Sequence, residues 1–155
     1  MVGVELIKVM ETNAPAPGAK KIVVIDDNQV VLKAMHVMLR AKGYHVETAE
    51  SGADAITLLR KSKPDLILLD LDFPPDIGNI GGGLRDGFLI IDWARRMCDA
   101  EKIPVIIVSS MDPEKYKERA QAAKIPMFFR KPVDRQQLLE AIHTTLGDAP
   151  TGQPA

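Results

Sequence analysis

Leu66-Ile67-Leu68-Leu69-Asp70 is the stretch that decides the fold. Four large aliphatic residues in a row read as a strand buried on both faces, not one lying on a half-wet sheet. A strand of that kind needs helices above and below it, so its flanks should alternate short apolar runs with amphipathic helices. They do. Upstream, residues 21–25 hold the β-branched run Ile22-Val23-Val24-Ile25, a second buried strand. The next stretch puts Val31, Met35, Met38 and Leu39 on one helical face and stops at Gly43, a residue suited to a helix C-terminus. Residues 44–49 read as another strand, and Ser51-Gly52-Ala53-Asp54 as a capping box opening a helix with Ile56 and Leu59. Downstream, a helix over 88–98 spaces Phe88, Ile91, Ala94 and Cys98 at helical intervals, and 105–108 is again a buried strand. Asp112-Pro113 fits an N-cap followed by proline at the first helical position. Residues 127–130 make the last strand, and Asp134 and Gln137 then cap a helix with Leu138, Leu139, Ile142 and Leu146 inside. Five strands alternating with five helices predict a parallel sheet covered on both faces, joined by right-handed crossovers.

The bulk numbers agree with one ordinary domain. The chain has 155 residues, 46% hydrophobic and 26% charged, with a net charge of -1. That balance gives no reason to expect direct contact with nucleic acid or an anionic membrane. A single cysteine, Cys98, excludes an internal disulfide and fits a reducing compartment. His36, His45 and His143 are spread along the chain with no cysteine beside them, which argues against a zinc site. No apolar run is long enough to span a membrane, and the start lacks a signal-peptide layout, so a cytoplasmic protein is expected. Residues 1–19 read as a lead-in ending in a Pro/Gly linker, 20–146 as the domain, and 147–155 as a disordered tail.

In open parallel sheets the functional crevice lies at the carboxyl ends of the strands. Here those ends carry Asp26-Asp27, Asp70, Ser109-Ser110 and Lys131-Pro132. Carboxylates converging on one edge repel each other, and a hard divalent cation with oxygen ligands, Mg²⁺, relieves the repulsion. One cation, one nucleophilic carboxylate, a lysine and a hydroxyl suit phosphoryl transfer, which needs positioning and charge neutralisation above all. Taken alone, Asp26-Asp27 also suits a helix N-cap, and Asp70 the plain end of a strand.

The order and spacing of these residues resemble the response-regulator receiver family over nearly all of 20–146. The match rests on Asp26-Asp27, on Asp70 after its aliphatic strand, on Pro104-Val105-Ile106-Ile107-Val108-Ser109-Ser110, and on Lys131-Pro132. The resemblance implies a doubly wound, flavodoxin-like α/β sandwich with strand order 2-1-3-4-5. It implies Asp70 as phosphoacceptor, with Asp26, Asp27, Asp70 and the backbone carbonyl of Asp72 holding Mg²⁺. Ser109 and Lys131 would contact the phosphoryl group, and Phe128 would take the place of the family's inward-turning aromatic. Implied partners are a histidine kinase or histidine phosphotransfer protein and a downstream target. A homodimer through helix four, strand five and helix five is a further option. With no output domain in the chain, the signal is expected to leave through protein contacts.

Three departures stand out. Asp86-Gly87 follows the acceptor only after an extra Gly-rich segment near 75–84, Lys124 stands where a glycine commonly ends helix four, and Ser110 replaces a small apolar residue. The triple glycine lacks the Gly-Lys-Ser/Thr of a nucleotide loop. Two rival readings remain open at this point. Asp70-Leu71-Asp72 resembles the opening motif of haloacid dehalogenase-like phosphatases, although there the motif sits on the first strand and the acidic pair comes last. The other rival is a receiver-like docking module that works without phosphorylation.

Overall fold

The computed structural model of the chain describes residues 18–71, 87–97, 103–125 and 127–147. Most of the lead-in, the Gly-rich segment, Asp72, Asp86, Cys98 and the tail beyond Gly147 lie outside these described residues. Five strands, β1 (Lys21–Ile25), β2 (His45–Ala49), β3 (Leu66–Asp70), β4 (Val105–Ser109) and β5 (Met127–Arg130), alternate with five helices. The helices are α1 (Gln29–Ala41), α2 (Gly52–Lys61), α3 (Phe88–Met97), α4 (Lys117–Ala122) and α5 (Arg135–Leu146). All strand pairs are parallel, in the order β2-β1-β3-β4-β5, as the sequence led us to expect.

Side-chain alternation splits the core in two. Val23, Ile25, Ile67, Leu69 and Ile107 face α2, α3 and α4, where they meet Ala55, Leu59, Ile91 and Ala120. Ile22, Val24, Leu66, Leu68, Ile106 and Val108 face α1 and α5, meeting Leu32, Leu39, Leu138 and Ile142. β3 and β4 are buried at every position, whereas the edge strand β5 is only half-buried. Among the described residues no helix is long and apolar enough to cross a membrane.

Helix ends explain the local signals. Neither Asp26 nor Asp27 caps α1: the N-cap is Asn28, whose side chain accepts from the Val30 and Val31 amides. Ser51 caps α2 and Asp134 caps α5 as their motifs suggest. Asp112 caps only a short 3₁₀ turn, Pro113–Lys115, and α4 begins after it at Lys117, with Tyr116 as an N-cap that makes no side-chain capping bond. α1 closes with paired bonds, Gly43 N–H to Arg40 O at 3.0 Å and Tyr44 N–H to Leu39 O at 3.2 Å. α4 closes the same way, Lys124 N–H to Gln121 O at 3.0 Å and Ile125 N–H to Ala120 O at 2.8 Å. The left-handed position of this motif is taken by Gly43 (φ 97) in α1 but by Lys124 (φ 59) in α4.

Candidate functional site

The parallel register builds the centre of the site. β1 and β3 pair Ile22 with Leu66 through Ile25 with Leu69, so one further step sets Asp26 beside Asp70. Asp26 follows the last residue of β1 and Asp70 is the last residue of β3, the two strands at which the chain reverses its direction of winding and where such sheets form their crevice. Asp26 and Asp70 are only 4% and 3% exposed, while Asp27 faces solvent. Carboxylate oxygens of Asp26, Asp27 and Asp70 all lie within 4.8 Å of one another. Lys131 reaches over from the end of β5, with its Nζ 3.1 Å from Asp26 Oδ2 and 3.3 Å from Asp70 Oδ2. Two smaller bonds fix the frame: the Asn28 amide donates to Asp26 Oδ1 at 2.9 Å, and the Asp26 amide donates to Ala49 O at 3.1 Å.

The electrostatics follow from this packing. Burial by itself would lower the Lys131 pKa, but the Asp70 charge and the hydrogen bond and charge of Asp26 outweigh it and raise it. One ammonium does not balance three clustered carboxylates, and that surplus of hard oxygen ligands is the donor chemistry a divalent cation fits.

The other candidates take separate places. Ser109 is fully buried at the end of β4, one residue past the rung that joins Asp70 to Val108. Its Oγ accepts the Met111 amide at 3.0 Å, and its carbonyl accepts the Lys131 amide at 2.8 Å. Phe128 stands apart from the acid cluster, opposite Ile107 on β5 and edge-on to Tyr116 with ring centroids 5.6 Å apart. The carbonyl expected of Asp72 falls outside the described residues. Asn28 and Met111, which hold the acid and the hydroxyl in place, went unread in the sequence. The Asn28 cap had a signal, an Asn just before an apolar helix, whereas the Met111 amide had none.

Comparison with known proteins decides the family. The model of the response regulator receiver domain matches residues 22–143. The chain belongs to this family. Similar receiver proteins include the polar-differentiation response regulator DivK of Brucella anthropi, 27% identical over 130 residues, covering 84% of this chain and 98% of DivK. DivK of Brucella ovis is 28% identical over the same shares. Among solved structures, the chemotaxis protein CheY4 of Vibrio cholerae superposes with a TM-score of 0.72 at 22% identity, covering 83% of this chain and 100% of that one. The receiver domain of a sensor histidine kinase from Pseudomonas aeruginosa PAO1 gives 0.69 at 22% identity, over 84% and 99%; that structure holds a magnesium ion in its active site cleft. As a receiver domain of the two-component type, the chain is a signalling module and not a classical enzyme.

Proposed function

We propose that Asp70 is the phosphoacceptor, taking a phosphoryl group from a phosphohistidine of a histidine kinase or histidine phosphotransfer protein. The observation that carries this reading is one buried carboxylate, Asp70, set beside Asp26 and Asp27 and 3.3 Å from Lys131. An Asp70 oxygen attacks phosphorus in line, the P–N bond to the imidazole breaks, and the imidazole nitrogen keeps that electron pair. Asp26, Asp27, Asp70 and the main-chain carbonyl of Asp72 would hold Mg²⁺, which supplies charge neutralisation on the phosphoryl oxygens. The magnesium of the Pseudomonas receiver supports that assignment. Lys131 meets a phosphoryl oxygen opposite the cation. Ser109 turns its hydroxyl onto another, and Phe128 moves into the space left behind. The target, or a second copy, meets the α4–β5–α5 face; β5 offers half-buried Met127, Phe128 and Phe129 there.

We further take 20–146 as the domain, with 1–19 and 147–155 outside it, and assign the protein to a bacterial cytoplasm. Slow self-dephosphorylation of Asp70 belongs to the same reading. The acidic pair that follows β1, ahead of Asp70 in the chain, favours this over a dehalogenase-like phosphatase. Incubation with Mg²⁺ and a small phosphoramidate donor should add one phosphoryl group, seen by intact mass, and Asp70→Asn should abolish it. Labelling that survives Asp70→Asn rejects the assignment, and absence of any label in the wild type favours a docking module instead.

A further inference from the structure

Between α1 and α5 the packing leaves a cavity of about 290 Å³. Its floor is Val24, Leu68, Val108 and Leu138, all buried, and Met35 and Met38 form a half-buried wall. The exposed lining residues are Ala34, Pro132 and Arg135, so they mark the mouth. Outside that mouth the trough between the same helices presents Lys33, Lys42 and Arg135 against a single acid, Asp134. At its other end the cavity is bounded by Asp26, Asp70 and Lys131.

We propose that this cleft binds a free amphiphilic organic anion, a medium-chain carboxylic acid, with the carboxylate at Arg135 and the hydrocarbon body along Met35, Met38 and Leu138. The charges set the orientation: the basic rim attracts the head, whereas at the far end the one ammonium, Lys131, is already paired with Asp26 and Asp70. The apolar floor supplies the attraction for the body, because covering apolar surface that water otherwise reaches is favourable. Size points the same way. At ~30 Å³ per water-sized group, the space holds on the order of ten non-hydrogen atoms, which is the size of octanoate. The site goes beyond the phosphoacceptor reading and does not depend on it.

The test is titration of octanoate, below micelle formation, into the full chain while backbone amide shifts are followed by NMR. Saturable shifts confined to Met35, Met38, Leu138 and their neighbours are expected. Ala34→Phe, which places a ring in the mouth, should abolish them. Arg135→Glu should weaken binding about tenfold, since it turns an attractive exposed pair into a repulsive one. Octanol, which lacks the charge, should bind the wild type more weakly than octanoate. Shifts that fail to saturate or scatter over the whole surface overturn the proposal. So does an Ala34→Phe protein that binds like the wild type, or an affinity indifferent to both Arg135→Glu and the loss of the ligand's charge. Arg135→Glu lies on an exposed first helical turn where an acid is well tolerated, so the test stands even if Ala34→Phe misfolds.

Discussion

Lys131 is a basic group held against the buried acids, and its removal separates what the protein does from what a cation does. Lys131→Met removes the ammonium that lies 3.1 Å from Asp26 and 3.3 Å from Asp70. In the absence of divalent cations this should cost about 1–3 kcal/mol, less than for a fully buried pair because the amine is partly exposed. Millimolar Mg²⁺ should narrow the gap, because a ligand bound only to the folded state stabilises it by mass action. Urea melts of wild type and variant, with and without Mg²⁺, check this; a gap that Mg²⁺ leaves unchanged argues against a metal at these carboxylates. Asp26, Asp27, Asp70 and Lys131 were legible because each stands within two residues of the end of an apolar run, so the placing of the strands sends them to one edge. The partner of Phe128 was not. Tyr116 meets it only through the tertiary fold, and no local pattern links the two.

At the scale of elements, α1 and α4 are closed by the same bonds with different residues in the left-handed position. An L side chain there costs roughly 1–2 kcal/mol, partly offset by the chain entropy that glycine loses on folding. Lys124→Gly should therefore raise stability by about 0.5–1 kcal/mol, read as a higher denaturation midpoint at unchanged slope. Gly87 shows the opposite demand. A Cβ there would stand 2.8 Å from Leu69 Cδ2, and Leu69 is fully buried in β3 next to Asp70. Gly87→Ala should cost about 1–3 kcal/mol by overpacking, measured by thermal or urea unfolding. The unusual Lys124 stood out in the sequence only against the glycine that the family commonly has there. The 3₁₀ turn after Asp112 could not, since an N-cap and a proline announce a helical start and say nothing of its length.

For the whole molecule, the pH dependence of stability should fall in two acid steps. Burial, then the charges of Arg40 and His45, lower the His36 pKa below 6.5. The unfolded chain thus takes up the proton first, and stability is lost as pH falls from that value through the folded one. Glu47 behaves likewise further down. Burial pushes its pKa up, but Ser62, Lys21 and His45 together bring it below 4.5, so its contribution is present above that value and lost as pH falls through the folded one. Thermal midpoints measured across pH should show both steps, with His36→Gln erasing the upper and sparing the lower. The layered architecture was plain in the sequence, since apolar strands alternating with amphipathic helices allow little else. The strand order came from family likeness, because nothing local says on which side of β1 the next strand pairs. With the Lys131 amide hung from the Ser109 carbonyl at 2.8 Å, the hydroxyl of one strand end and the amine of the next are yoked. Neither backbone shifts far without tugging the other, so a ligand that draws both strand ends inward is felt at the rim of the sheet as a single pull.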